Sequence, residues 1–480
     1  MQPNPSGALN VVLISTYELG RQPFGLASPA AWLRRAGASV ACLDLSRQAL
    51  DEAAVGAAHL IAFYIPMHTA TRLAVEVLPA VQKLNPRACL CFYGLYAPMN
   101  EAFLRKLGAQ IILGGEFEEG LAQALEDLKA GRRLGEPQRS PAISLSRQQF
   151  LVPDREGLPA LKRYAGLAWP DGSVRVAGYT EASRGCKHLC RHCPVVPVYN
   201  GRFRVVQREV VLEDIRRQIR AGASHIIFGD PDFFNGIRHA VEIVTAMHAE
   251  HPGVTYDVTV KIEHLLKHAE HLKTLRETGC LFVTSAVESL DNQTLLRLDK
   301  GHTLEDFLQV LELFRKEGLA LSPTFVAFTP WTTLEGFCEF LARVQELGLV
   351  DQIAPIQLGI RLLIPAGSRL LELPEMKPKV GRFDEAALVY PWSNPDPRVD
   401  ELCERIQSLA QENPEMPRRA VFLRVIKLAY EMAGKQAPEI PESNDRLNPP
   451  AIPYLTEPWY CCAEPTKAQL APADSVETYV

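Results

Sequence analysis

Arg184-Gly185-Cys186-Lys187-His188-Leu189-Cys190-Arg191-His192-Cys193 packs three cysteines into eight residues, spaced four and then three apart. A loop this short directs Cys186, Cys190 and Cys193 onto one compact metal centre, because sending the thiolates elsewhere would strain the backbone. Three cysteines on a four-iron, four-sulfur cluster leave one iron open, and an open iron can take the amino and carboxylate groups of a small molecule. The competing reading is a structural zinc site completed by His188 or His192, although zinc ligand pairs ordinarily come from two separate loops. The chain has 11 cysteines, an odd number, and this clustering points to a reducing compartment and a metal site, not a disulfide framework. Cys42, Cys89, Cys91, Cys280, Cys338 and Cys403 fall in apolar strand or helix positions, where a thiol behaves as a small hydrophobe.

Carboxyl-terminal to the cysteines, apolar runs alternate with amphipathic stretches. Strands are expected at 225–229, 254–260, 281–287, 321–328 and 354–361 with helices between them, which describes a partial, TIM-like (β/α)6 barrel over 176–370. Residues 371–480 change character, with helices expected at 397–412 and 416–434 and then a Pro-rich irregular tail. Amino-terminal to the cysteines, 131–175 reads as a polar connection. Residues 1–130 alternate strands (11–14, 40–44, 60–64, 89–93, 111–113) with helices (26–36, 70–84), which implies a doubly wound, Rossmann-type parallel sheet. The fold class is therefore α/β. Ligands of such sheets sit beyond the carboxyl ends of the strands, near 64–68, 93–96 and 114–116.

The 480 residues carry a net charge of −5, with 47% hydrophobic and 22% charged residues. No basic patch is present to gather phosphates, so a nucleic-acid partner is not expected. The first residues lack the basic and apolar pattern of a secretion signal, and no apolar run approaches a membrane span, so a cytoplasmic protein without a membrane partner is expected.

The Cys-x3-Cys-x2-Cys loop after a first strand resembles the signature of the radical S-adenosylmethionine (SAM) superfamily, and further segments resemble its cobalamin-domain subgroup. Phe228-Gly229-Asp230-Pro231-Asp232-Phe233 stands where the family has a glycine-rich contact to the SAM amino group, in altered form. Val287-Glu288-Ser289 and Leu298-Asp299-Lys300-Gly301-His302-Thr303 look like the fourth-strand segment. The resemblance implies that His192, Gly229, Asp230, Asp232, Lys261 and Glu288 bind SAM, with His192 in a position that is usually aromatic. It also implies an amino-terminal domain of the cobalamin-binding kind, with Tyr93, Gly94, Gly115 and Glu116 beside the cofactor. That domain contains no Asp-x-His-x-x-Gly, so it offers no histidine to cobalt. A domain that keeps the fold without cobalamin is the alternative.

Trp459-Tyr460-Cys461-Cys462-Ala463-Glu464-Pro465 resembles the tail of a radical SAM group that ends in this motif or its selenocysteine version. More loosely, the chain is similar to the radical SAM enzyme of arsinothricin biosynthesis, which attaches an aminocarboxypropyl group to arsenic. Cys461 and Cys462 are thus candidate catalytic residues, since paired soft sulfurs suit a thiophilic substrate. The implied activity is reductive SAM cleavage with transfer of an alkyl group or radical to a small molecule, using an electron donor such as flavodoxin or ferredoxin. Cobalamin-dependent methylation and a non-enzymatic iron-sulfur redox sensor are the competing readings.

Overall fold

The computed structural model describes residues 8–132, 142–169, 172–412, 416–438 and 453–456. Six parallel strands form the amino-terminal sheet: β1 (Asn10–Ser15), β2 (Ser39–Asp44), β3 (Leu60–Tyr64), β4 (Cys89–Tyr93), β5 (Ile111–Gly115) and β6 (Ile143–Ser144). Their order is β2-β1-β3-β4-β5-β6. Val12, Ile14, Ile61 and Phe63 face one apolar layer, whereas Val11, Leu13, Leu60 and Ala62 face the other. Because both faces are buried, the strands are near-continuous apolar runs. Helices Phe24–Arg35 and Glu118–Lys129 cover one face, and Glu52–Ala57, His68–Leu84 and Glu101–Lys106 cover the other. The winding reverses between β1 and β3, which sets the ligand crevice of such a sheet at Ser15 and Tyr64.

The chain then forms β7 (Leu167–Ala168) and β8 (Val174–Arg175) and enters the second sheet. This runs β9 (Ala177–Thr180), β12 (His225–Phe228), β13 (Thr255–Thr259), β14 (Cys280–Glu288) and β15 (Ala320–Phe325), all parallel. Between β9 and β12, the short strands β10 (Ser183–Gly185) and β11 (Phe203–Val205) pair antiparallel and carry the cysteine loop between them. Ile226, Phe228, Val283, Val287 and Leu321 pack outward against the helices that connect the strands.

The sixth strand expected at 354–361 is absent. Pro355–Gly359 is a 3-10 helix, and only a parallel bridge between Phe328 and Arg361 continues the sheet. Pro355 has no N–H to give a ladder, and the Gln357 side chain, not a strand carbonyl, accepts the Phe325 N–H at 3.1 Å.

The open flank of this partial barrel is closed by the loop that follows β1. Tyr17 and Leu19 pack with Val326, Ile360, Leu362 and Ile364 on the far side of the seam. The Arg21 guanidinium lies 4.9 Å from the centre of the Tyr179 ring on the near side, with Phe24 edge-on to the same ring. Helices Pro397–Glu412 and Arg418–Met432 pack on the barrel exterior through Leu402, Ile406, Val421 and Val425, close to the expected spans. A last strand, β16 (Tyr454–Leu455), pairs with β7, and Leu455 packs with Leu167 and Phe282 at the amino-terminal end of β14. Among the described residues, no helix is long and apolar enough to cross a membrane.

Candidate active site

The cysteine loop is fixed at both ends by polar contacts. Asp230, just past β12, accepts the Ala182 N–H at 2.9 Å and the Ser183 hydroxyl at 2.5 Å. Gly185 has φ +77°, and a Cβ there would stand 2.4 Å from the Tyr199 ring and 2.5 Å from the Arg202 carbonyl, so the turn into Cys186 accepts only glycine. At the other end, the Arg191 N–H donates to the Leu298 carbonyl at 2.9 Å, and its guanidinium donates to the carbonyls of Leu296 and Arg297. Cys190 is buried, and Cys186 and Cys193 are partly exposed. Burial, with Asp232 adding to it, pushes the Cys186 thiol up to about 11, so a bound cation is what would hold it as thiolate.

Behind the loop stands a buried trio. Glu288 ends β14, and its carboxylate accepts from His192 Nε2 at 3.1 Å and from Lys300 Nζ at 3.4 Å. Burial alone would raise the Glu288 carboxyl, but the Lys300 ammonium and His192 outweigh it and hold the group down at about 2. Burial opposes the charge on Lys300; Glu288, Cys190 and Cys193 outweigh that effect and raise its pKa. Lys300 therefore lies in the electrostatic field of two of the three cysteines. His192 Nδ1 is buried with no hydrogen-bond partner among the described residues, as a group that meets a bound molecule would be. His302 is also buried here, and burial pushes its imidazole down to about 4. Sequence reasoning quoted Lys300 and His302 within a motif but gave neither a role.

The remaining residues expected to contact SAM each have a protein neighbour. Lys261 lies 3.6 Å from Glu263, beyond β13. Asp232 turns toward His264, with oxygen and ring nitrogen 2.7 Å apart. Gly229 packs under Tyr179, where a Cβ would come within 1.9 Å of the phenol oxygen. Asp230 serves the loop contacts described above. Cys461 and Cys462 lie outside the described residues.

In the amino-terminal domain, the four residues expected beside cobalamin are engaged by protein atoms. Tyr93 is fully buried and donates its hydroxyl to the Gly25 carbonyl at 2.8 Å. Gly94 (φ +109°) abuts the Ile65 carbonyl, and Gly115 (φ +70°) leaves only 2.2 Å between a built Cβ and the Ser144 carbonyl. Glu116 meets Arg184 at 3.3 Å and accepts from the Tyr199 hydroxyl at 3.2 Å. Among the described residues, buried side-chain atoms without a hydrogen-bond partner at this edge of the sheet include Ser15 Oγ and Glu18 Oε2. Burial and the neighbouring Glu181 raise the Glu18 carboxyl well above its usual range.

Arg184, two residues before the first cysteine, locks the domains together. It reaches Glu118 at 2.7 Å, Glu116 at 3.3 Å and Glu181 at 2.7 Å, and its guanidinium lies 5.1 Å from the ring centres of both Phe117 and Phe150. The loop that carries the thiols and the end of β5 are therefore tied by one buried guanidinium.

Residues 180–341 match the profile of the Radical SAM superfamily. The hopanoid C-3 methylase of Methylococcus capsulatus is 26% identical over 329 residues, covering 65% of this chain and 62% of that protein. A tRNA-2-methylthio-N(6)-dimethylallyladenosine synthase of Chlorobium phaeovibrioides is 25% identical over 193 residues, covering 36% of this chain and 39% of that protein. The chain thus spans less than two thirds of the length of either relative. Among solved structures, the cobalamin-dependent radical SAM enzyme OxsB with aqua-cobalamin bound superposes with a TM-score of 0.66 at 17% identity, covering 84% of this chain and 67% of that one. The radical SAM methyltransferase TsrM from Kitasatospora setae, with cobalamin and a [4Fe-4S] cluster bound, gives 0.55 at 16% identity, covering 70% and 73%. These likenesses establish the fold, including its amino-terminal parallel sheet. Residues 180–341 of this chain are a radical SAM domain.

Proposed function

We propose that this protein is an enzyme that cleaves SAM reductively and transfers a carbon fragment from it to a small acceptor. The observation that carries the reading is the set of three thiols on one loop at the carboxyl ends of the barrel strands, backed by the His192, Glu288 and Lys300 trio. Cys186, Cys190 and Cys193 would hold a four-iron, four-sulfur cluster whose open iron takes the SAM amino and carboxylate groups. When bound, the cluster supplies the electron that breaks a sulfonium carbon–sulfur bond. Lys300 balances the charge of the thiolates, Glu288 orients His192 toward the mouth, and the loop after β1 keeps water out of the flank. A reduced flavodoxin or ferredoxin is the partner expected to deliver the electron.

For the acceptor, the tail resemblance favours a soft, arsenic-like atom brought in by Cys461 and Cys462. Cobalamin-dependent methylation is the second reading, supported by a likeness to OxsB that covers 84% of the chain and by the unpartnered Ser15 and Glu18 atoms at the sheet edge. In that reading Tyr93, Gly94, Gly115 and Glu116, at the carboxyl ends of β4 and β5, are the expected contacts to the cofactor.

The test is anaerobic reconstitution with iron and sulfide, then reductant and SAM, with mass spectrometry of products with and without cobalamin and arsenite. Methylthioadenosine together with an aminocarboxypropyl adduct supports transfer to the soft acceptor. S-Adenosylhomocysteine formed only with cobalamin supports methylation. Intact SAM beside a reducible cluster refutes both.

A further inference from the structure

The cysteine loop also presents a side chain to solvent. Leu189, next to the buried Cys190, leaves 40% of its surface exposed. A single leucine in water is ordinary, but a second one stands across the loop. Leu296, on the helix Asn292–Leu298, is 70% exposed, and its carbonyl accepts from the Arg191 guanidinium at 3.1 Å. On another side, the Leu189 carbonyl accepts from Arg369 at 3.4 Å, and the Ser368 hydroxyl donates to the Arg191 carbonyl at 3.3 Å.

The rim around the two leucines is basic. Arg191, Arg297 and Arg369 each stand beside one carboxylate, Asp299 at 3.7 Å, Glu375 at 2.9 Å and Glu372 at 3.2 Å. Such exposed pairs are worth about 0–1 kcal/mol, so a partner's carboxylates exchange for them at little cost. Lys187 and Arg202 add exposed cations that meet no carboxylate among the described residues. The Lys187 ammonium lies 5.0 Å from the centre of the Phe203 ring, and a Cβ built on Gly201, beside Arg202, would stand 3.3 Å from Leu189 Cδ2. The local surplus is therefore positive in a chain whose net charge is −5.

We propose that this face, with Leu189 and Leu296 exposed on it and Lys187 and Arg202 on its rim, docks the small acidic electron-transfer protein that reduces the cluster. The assignment rests on the reading of Cys186, Cys190 and Cys193 as cluster ligands. Leu189 lies between the first two of them in the chain, so a carrier seated on it touches the ligand loop itself. One electron passes from the reduced carrier to the cluster, the carrier leaves oxidised by one electron, and no bond changes in that step. Brief encounters of this kind bury less than about 1,200 Å², an area that two leucines and a charged rim suit. Opposite charges raise the rate of such an encounter more than its affinity.

The experiment mixes the cluster-reconstituted full chain with photoreduced flavodoxin, an acidic carrier, and follows cluster reduction by absorbance and electron paramagnetic resonance. Dithionite serves as the reductant that needs no docking face. Reduction by flavodoxin should slow at least about tenfold as salt rises from about 0.05 M to about 0.5 M. Lys187→Glu combined with Arg202→Glu should slow it at least about tenfold at the lower salt. Leu296→Ser should slow it about threefold. Iron content and the dithionite rate should match the native protein throughout, and Lys273→Glu, 64% exposed on the helix Leu272–Glu277, should change neither rate. Where Lys187→Glu costs iron, Arg202→Glu alone decides. Equal flavodoxin rates in the native protein, Arg202→Glu and Leu296→Ser, or no transfer from flavodoxin to a cluster that dithionite reduces, overturns the docking face and leaves the reading of the cysteines intact. A cluster that dithionite does not reduce overturns both.

Discussion

Replacing Arg184 with methionine should destabilise the protein in a way that depends on pH. The guanidinium is the cation beside Glu116, Glu118 and Glu181, at 2.7–3.3 Å, with 7% of its side chain exposed. Methionine keeps the stem that packs among Phe24, Phe117 and Phe150 but leaves buried carboxylates without a counter-charge. Removing one partner of a buried pair costs about 3–5 kcal/mol, because the other charge stays buried. In the native protein, burial raises Glu118, but Arg184 with its hydrogen bonds outweighs that and holds the carboxyl below its usual range. Without Arg184, burial and the mutual repulsion of the carboxylates outweigh the hydrogen bonds that Glu118 keeps from Ser28 and Gln148, so the folded-state values rise above the unfolded ones and the folded form retains protons that the unfolded form has lost. Stability of the variant should therefore fall as pH rises. Urea unfolding of both proteins should show a gap that widens from about pH 5 to about pH 8 and reaches about 3–5 kcal/mol. Adding Glu118→Gln to the variant should close part of it. A gap under about 1 kcal/mol, or one that is flat with pH, refutes the reasoning.

Three further outcomes are expected. Burial raises Glu116 to about 7 from 4.5, so its contribution to stability is complete below about 4.5 and lost as pH rises through 7; Glu116→Gln should remove that slope from the native protein's pH–stability curve. Changing any one of Cys186, Cys190 or Cys193 to serine should abolish reductive SAM cleavage while the urea midpoint of the metal-free protein shifts little, as iron and sulfide analysis beside product detection would show. Gly229→Ala would push a methyl into Tyr179 and should cost about 1–3 kcal/mol, with partial recovery on adding Tyr179→Leu; unchanged thermal unfolding would count against the packing described.

How much of this was legible in the sequence follows from which signals are local. Leu60–Tyr64 and Cys89–Tyr93 were expected at their observed bounds, because a strand buried on both faces is a continuous apolar run between polar ends. The 354–361 segment misled because Ala354, Ile356, Leu358 and Ile360 alternate as a strand would, while Pro355 and the Gln357 side chain take over the backbone's role. The cysteine spacing is local, so the loop could be read directly. Asp232 and His264 could not be brought together, since they meet only once β12 and β13 lie side by side. The Arg184 network was hidden for the same reason, because its partners Glu116 and Glu118 belong to the other sheet's domain.

Glu288 carries one more consequence. Its backbone sits at φ +69°, in the left-handed region where a side-chain-bearing residue is strained, and its N–H and carbonyl lie at the irregular end of the β14–β15 pairing. Strain of this kind costs of order 1–3 kcal/mol and persists where the side chain is needed. Glycine would relieve the backbone but leave the buried Lys300 ammonium unpaired, and losing one partner of a buried pair costs about 3–5 kcal/mol, so the chain keeps the carboxylate that meets both His192 and Lys300. Position 288 is thus a point where the backbone carries strain because two buried partners need the carboxylate, and directed evolution for heat tolerance would be expected to change Glu288 only together with Lys300.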